Sequence, residues 1–122
     1  MSPEPTYRRV RTLCLSFPEA SEVSTWGHPS FKVRRKAFVA FEHVKHRPSI
    51  AFRAAPADAE LFLQRPQFFE TPYGRGLWAS VWVDRPVGAR LLAELARKSY
   101  RLVAGKRLSA LLDGPARARG VT

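Results

Sequence analysis

The sequence predicts an α+β fold, a two-layer α/β sandwich in which helices cover one face of an antiparallel sheet. Three observations support it: an apolar stripe with helical spacing near the N-terminus, alternating segments with strand spacing between residues 21 and 54, and a second helical stripe after residue 86. The predicted order of elements is α-β-β-β-α-β-β-α, followed by a short C-terminal helix. A chain of 122 residues is long enough to bury one core and too short for two comfortable domains.

The first helix is predicted from the spacing of its apolar side chains. Val10, Leu13, Cys14 and Phe17 fall at i, i+3, i+4 and i+7, which places them on one face of a helix. Pro18 ends the helix, because the residue before a proline is pushed out of helical backbone angles.

The next segment changes to the period of strands. Phe31 and Val33 alternate with Lys32, as expected for a strand buried on one face. Runs of aromatic and β-branched residues lie at 22–26, 31–33, 37–44 and 49–53, separated by Gly27-His28-Pro29-Ser30, Arg34-Arg35-Lys36 and Lys45-His46-Arg47-Pro48. These runs with short turns between them predict an antiparallel meander.

The second half is predicted to hold two helices and two strands. A short helix over 56–64 begins at Pro56, which suits a first helical turn. Gly105 fits the position that caps the last long helix. The other predicted elements are an extended piece at 68–71, a loop at 72–76, a strand at 77–83, a helix at 86–104 and a helical turn at 108–112. Residues 1–113 are predicted to form one domain, and residues 114–122 a basic tail.

The formal net charge of +11 is the strongest compositional signal. A basic chain is attracted to polyanions, of which nucleic acid is the commonest in a cytoplasm. The alternative is a bias of base composition, since 16 of the 21 basic residues are arginine. The candidate residues for nucleic-acid binding are Arg34, Arg35, Lys36, Lys45, Arg47, Arg75, Arg97, Arg101, Lys106 and Arg107.

The basic turns are predicted to lie far apart. Residues 34–36 and 45–47 stand at the two ends of one strand, which separates them by about 25 Å at ~3.3 Å per residue. They therefore cannot both form the tip of one wing. Contacts from such turns would fall mainly on phosphates, which position a protein without reading sequence.

No catalytic or metal-binding group is predicted. Glu42, His43 and His46 have no distant partner that would complete a metal site. His28 and Ser30 lack the third group and the oxyanion site that nucleophilic catalysis needs. The sequence thus predicts neither an enzyme nor a cofactor.

A second surface is suggested by the tryptophans. Trp78 and Trp82 are four residues apart on one strand, so both point to the same sheet face, opposite Val81 and Val83. If the helices cover the valines, the tryptophans stand on the open face, either as a ligand groove or simply capped by a loop. The candidate residues for a ligand or partner face are Trp26, His28, Tyr73, Trp78 and Trp82.

Three motifs in register resemble the MmcQ/YjbR family. They are Phe17-Pro18-Glu19-Ala20 before Trp26-Gly27-His28-Pro29-Ser30-Phe31-Lys32-Val33, then Thr71-Pro72-Tyr73-Gly74-Arg75-Gly76-Leu77-Trp78, then Ser99-Tyr100-Arg101-Leu102-Val103-Ala104 with Lys106-Arg107-Leu108. The resemblance covers about residues 8–112. It implies an α-β-β-β-α-β-β-α two-layer fold, and a DNA-binding label that rests on likeness to a double-wing transcription-factor domain. It implies no catalytic residue.

The predicted function is that of a DNA-binding accessory or regulatory protein with mainly electrostatic contacts of low specificity. The alternative is a protein- or small-ligand-binding module that uses the aromatic face and the loop from Pro72 to Gly76. With one cysteine, no signal segment and no run of ~20 apolar residues, the chain is expected to be cytoplasmic and not bound to a membrane. It is expected to be a monomer or weak dimer.

Overall fold

The structure is a computed structural model that describes residues 2–25, 27–73 and 76–121; the side chains of Thr25 and of residues 113–121 lie outside that description. The predicted α+β class is confirmed, with helices on one face of an antiparallel sheet. The elements within the described ranges are α1 (Glu4–Leu15), β1 (Ser21–Thr25), β2 (His28–Val33), β3 (Lys36–Val44), β4 (Arg47–Arg53), α2 (Pro56–Phe62), β5 (Phe68–Glu70), β6 (Trp78–Trp82) and α3 (Ala89–Val121).

The sheet has six strands in the order β1-β2-β3-β4-β6-β5, and every neighbouring pair is antiparallel. The first block holds four strands, where the predicted element order counted three. The additional strand arises because β1 and β2 pair as a tight hairpin, with Thr25 opposite His28. Gly27, with φ 79°, supplies the left-handed backbone that such a turn requires.

Of the predicted turns, those at 27–30 and 45–48 are shorter than predicted, because their prolines lie inside strands. Pro29 is the second residue of β2 and Pro48 the second residue of β4. A strand accepts proline near its first residue, where fewer ladder hydrogen bonds are lost. His28, predicted as part of a turn, is therefore the first residue of β2. The β2–β3 and β3–β4 hairpins close through the two-residue loops 34–35 and 45–46.

The core lies between the sheet and helices α1 and α3. Of the stripe predicted for the first helix, Val10 and Cys14 are buried and Leu13 is partly buried against the same core, whereas Phe17 is buried but lies beyond the end of α1 at Leu15. From the sheet come Phe31, Val33, Val39, Phe41, Ile50, Phe52, Val81 and Val83, and from α3 come Leu92, Leu95, Ala96, Tyr100, Ala104 and Leu108. Burial raises the pKa of the Cys14 thiol, so this group is a core residue rather than a reactive thiolate.

The part of α3 that follows Gly105 is longer than predicted. The backbone of α3 is helical from Ala89 to Val121, with a break at Gly105, where the sequence predicted a helix end, a separate turn and a tail. The predicted role of Gly105 as the end of a helical run is confirmed by its φ of 84° and ψ of 170°. Within the described ranges, none of the helices has the length and apolar character needed to cross a bilayer.

Replacing Gly105 by alanine should lower the free energy of unfolding by about 1–3 kcal/mol, because this backbone conformation is strained for any residue with a Cβ. The new Cβ would also lie 2.7 Å from Nη1 of Arg34, which would have to move. Urea denaturation of the variant gives the value. Gly88→Ala is the control, because a Cβ at Gly88 would have open space around it. The free energy of unfolding of this variant should fall by less than about 1 kcal/mol. Equal losses in the two variants would contradict the assignment of strain to Gly105.

Candidate functional site

The face of the sheet opposite the helices carries a floor of small side chains. Ser49, Ala51 and Ser80 are fully buried there, although they alternate with core residues along β4 and β6. Trp78 and Trp82 belong to this face, since Ala79, Val81 and Val83 point into the core. Leu77 lies just before β6 and is 48% exposed.

A cavity of about 470 Å³ opens on this face beside Trp78. Its described lining comes from strands β2, β3 and β4, from the β2–β3 turn, and from the start of β6 with the chain segment before it. The lining residues are His28, Pro29, Ser30, Lys32, Arg35, Lys36, Ala37, Ala40, Glu42, Arg53, Tyr73 and Trp78. A volume of this size falls within the range of pockets that take a small molecule.

The lining is strongly cationic at one end. Lys32, Arg35, Lys36 and Arg53 all line the cavity, whereas Glu42 is the one carboxylate among its described lining residues. Within the described part of the chain, Lys32, Arg35 and Lys36 form no ion pair. Four positive charges around one cavity with so little compensation create a local positive potential.

Arg53 is fixed in place by the fold. Its Nε donates a hydrogen bond to the carbonyl of Ala37 at 2.6 Å, and its guanidinium lies 4.8 Å from the centre of the Trp78 ring. Its backbone N–H donates to Oγ of Ser99 at 2.9 Å, and the Ser99 hydroxyl in turn donates to the carbonyl of Phe38. Helix α3 therefore positions the end of β4, and with it one charged corner of the cavity.

The opposite wall is aromatic. Tyr73 is 44% exposed and packs edge-on against Trp78, with ring centroids 5.8 Å apart. Its hydroxyl donates a hydrogen bond to Oε2 of Glu42 at 2.6 Å. Desolvation raises the pKa of Tyr73, and the bond to Glu42 raises it further, so the phenol remains a donor at neutral pH. The hydrogen bond holds the Tyr73 ring at the edge of the cavity.

Trp82 is occupied by other side chains. Phe69 stacks on it at 3.9 Å between ring centroids, and the guanidinium of Arg47 lies 3.9 Å from its centroid. Arg47 also makes two hydrogen bonds to the carboxylate of Asp84, which hold the pKa of Asp84 below its usual range. Arg47 and Trp82 thus form a cluster with Phe69 and Asp84, apart from the cavity that contains Trp78.

The basic candidates are spread over three surfaces rather than gathered on one. Of these, Arg35 and Lys36 line the cavity, and Lys45 and Arg47 lie at the far end of the nine-residue strand β3. Arg34 turns towards the helices, where its Nη1 lies 3.5 Å from the carbonyl of Ala104. Arg97, Arg101, Lys106 and Arg107 belong to α3, and Arg75 lies outside the described residues.

Sequence reasoning missed two cations of the cavity, Lys32 and Arg53. The signal that finds them is strand alternation: Lys32 stands between Phe31 and Val33, and Arg53 follows Phe52, so both point away from the apolar face. Neither belongs to a basic run, and a search for clusters along the chain therefore passes over them. The sheet brings them beside the β2–β3 turn.

The residues predicted to form a ligand or partner face also include His28 and Trp26. His28 lines the cavity, and its ring centroid lies 6.2 Å from that of His43. Among the residues described by the structure, no group of three potential metal-ligating side chains comes together. Trp26 lies outside the described residues.

The YjbR family model matches residues 15–102, which is more than half of the chain. The chain belongs to the YjbR family. As a YjbR protein it shares its fold with the DR2400 protein of Deinococcus radiodurans, whose crystal structure contains a DUF419 domain. That structure has a TM-score of 0.72 and 24% identity, over 93% of this chain and 89% of the other.

A protein from Pseudomonas syringae is a second structural relative of this YjbR chain. Its TM-score is 0.67 with 13% identity, over 84% of this chain and 98% of the other. A search of curated proteins gives no match. At these identities the two structures support the fold of the YjbR domain and carry no functional residue over to it.

Proposed function

We propose that this YjbR protein binds DNA with low sequence specificity, through phosphate contacts made by the open face of its sheet. The observation that carries the proposal is the cationic end of the cavity, formed by Lys32, Arg35, Lys36 and Arg53. The proposed role is binding rather than catalysis.

The pairing of charges elsewhere on the surface supports this choice of site. Arg47 is paired with Asp84, and Arg107 lies 3.0 Å from Glu19. Lys32, Arg35 and Lys36, by contrast, have no carboxylate partner within the described ranges. Cations that are not neutralised within the protein can release the counterions of a polyanion, which drives non-specific binding to DNA.

The direct test is a fluorescence anisotropy titration of a labelled DNA duplex at several salt concentrations. Binding through three or four phosphates predicts that the logarithm of the association constant falls linearly with the logarithm of salt, with a slope of about −3 to −4. Two duplexes of unrelated sequence should bind within about threefold of each other, because phosphate contacts do not read bases. The absence of binding by micromolar protein at low salt would overturn the proposal.

The two-residue loops of the β2–β3 and β3–β4 hairpins have positive φ at each of their residues. The values are 53° at Arg34 and 67° at Arg35 in the first loop, and 52° at Lys45 and 66° at His46 in the second. Such hairpin turns favour glycine at the second position, because a side chain there is strained. Arg35→Gly and His46→Gly should therefore each raise the free energy of unfolding by up to about 1 kcal/mol.

The two glycine variants should differ in their binding. Arg35→Gly removes a cation from the cavity and should weaken DNA binding several-fold, whereas His46→Gly, at the opposite end of β3, should leave it unchanged. Urea denaturation and anisotropy titration of the same two proteins give both quantities. Equal effects on binding would contradict the placement of the site at the β2–β3 end.

A small anionic ligand with an aromatic group is the second candidate. The observation that favours it is the lining of the cavity, which places Trp78 and Tyr73 beside the same cations. A thermal-shift screen of mononucleotides and aromatic carboxylates tests this function. Stabilisation by such compounds, without binding of DNA, would favour it over the first proposal.

A further inference from the structure

The cavity joins two features that a duplex cannot use together. Cations line one end, and the exposed ring of Tyr73 stands at the edge of the other wall. The bases of a duplex are stacked inside it, so they cannot enter a recess in a protein without leaving the helix, which costs a few kcal/mol. An unpaired base is free to do so.

The Tyr73 ring is held ready for stacking. Its hydroxyl is bonded to Glu42 at 2.6 Å, and the ring packs against Trp78 at an interplanar angle of 64°. Because these contacts fix the ring before a ligand arrives, stacking on it requires little additional ordering of the side chain. Trp78 itself is 8% exposed and covered in part by Arg53, so it supports Tyr73 rather than offering a free ring face.

Small side chains form part of the cavity wall. Ala37 and Ala40 both line the cavity together with Tyr73. Larger side chains at these two positions would fill part of its volume. A positively charged groove beside an aromatic platform is the arrangement by which proteins bind single strands, since every base has a face that can stack.

We propose that the cavity accepts an unpaired base of single-stranded DNA, which stacks on Tyr73 while adjacent phosphates contact Lys32, Arg35 and Lys36. The inference rests on the proposed DNA-binding function and adds a preference for single strands. Electrostatics favours the opposite order, because a duplex carries the higher charge density and releases more counterions per contact. A preference for the single strand is therefore evidence for contacts to bases.

The experiment compares three labelled ligands by anisotropy at one salt concentration. They are an oligothymidylate strand, its duplex with oligodeoxyadenylate of equal length, and a fully abasic strand of the same length that keeps its sugars and phosphates and has no bases. The intact strand should bind at least about fivefold more tightly than either of the others, the effect of about one stacked base. A duplex that binds as well as the intact strand, or an abasic strand that does so, would overturn the inference and leave the proposed function standing. Binding of none of the three would overturn both.

Variants of Tyr73 locate the stacking contact. Tyr73→Ala should weaken binding of the intact strand at least about fivefold and leave the duplex and the abasic strand within about twofold. Tyr73→Phe keeps the ring and its packing on Trp78 but loses the bond to Glu42 that helps to order it, so its loss of single-strand affinity should be smaller, about twofold to threefold. Unchanged affinity in Tyr73→Ala, or an equal loss in both variants, would overturn the role of the ring.

Discussion

Replacing Lys32, Arg35 and Lys36 together by glutamine should weaken binding of duplex DNA by tens of fold to about 100-fold near 0.1 M salt. The three cations line one cavity and have no ion-pair partner among the described residues. Each phosphate contact contributes about −0.9 to the slope of the logarithm of affinity against the logarithm of the salt concentration. The slope should therefore become less steep by about two to three. Glutamine keeps much of the side-chain length and removes the charge. Anisotropy titrations of the variant at several salt concentrations measure both quantities.

The matched control removes the same charge from the other side of the molecule. Arg90, Arg97 and Lys106 are exposed on α3, which packs on the core face of the sheet. Their joint replacement by glutamine should change affinity by less than about threefold, through long-range attraction that salt screens. A loss as large as that of the cavity variant would show that net charge, rather than the open face, determines binding.

Tyr100→Ala should lower the free energy of unfolding by about 3–5 kcal/mol. The Tyr100 ring is fully buried and packs against Phe17 and Phe38, with ring centroids 5.0 and 5.4 Å away. Its hydroxyl donates a hydrogen bond to the carbonyl of Pro18 at 2.7 Å. The side chain thus joins α3 to the end of the first helix and to β3, and its loss leaves a cavity that these elements cannot close.

Urea denaturation measures this effect, and Tyr100→Phe separates its two parts. The phenylalanine variant keeps the packing and loses the hydrogen bond, which should cost about 0.5–1.5 kcal/mol. A loss below about 1.5 kcal/mol for Tyr100→Ala would contradict the central place of this ring in the core. The two values also show how much of the stability of α3, and so of the Ser99 contact to Arg53, comes from packing.

The fold was predictable wherever local pattern and tertiary packing agree. The stripe of Val10, Cys14 and Phe17 and the alternation of Phe31 and Val33 around Lys32 both correspond to buried residues in the structure. Strand β3 departs from strict alternation, because its adjacent residues Phe38 and Val39 are both buried. Phe38 is an additional residue opposite the step from Phe31 to Lys32, so the bulge turns both Phe38 and Val39 into the core. A register shift of this kind depends on the partner strand and leaves no clear local signal.

The site was less predictable because it is built from residues far apart in sequence. Basic runs drew attention to Arg34 and Lys45, yet the first turns to the carbonyl of Ala104 and the second lies at the far end of β3. Lys32 and Arg53 join Lys36 only through strand pairing across β2, β3 and β4. The opposite directions of the two turns were inferred from the meander, but the cavity on the open face required the three-dimensional arrangement.

The most direct test of DNA binding by the open face is a titration of ¹⁵N-labelled protein with a DNA duplex, followed by the backbone amide signals. We expect the largest shifts at Lys32, Arg35, Lys36 and Arg53, and changes near the noise at Arg97 and Lys106 on α3. Shifts concentrated on α3, or on the β3–β4 turn at Lys45 and His46, would contradict the placement of the site on the open face of the sheet.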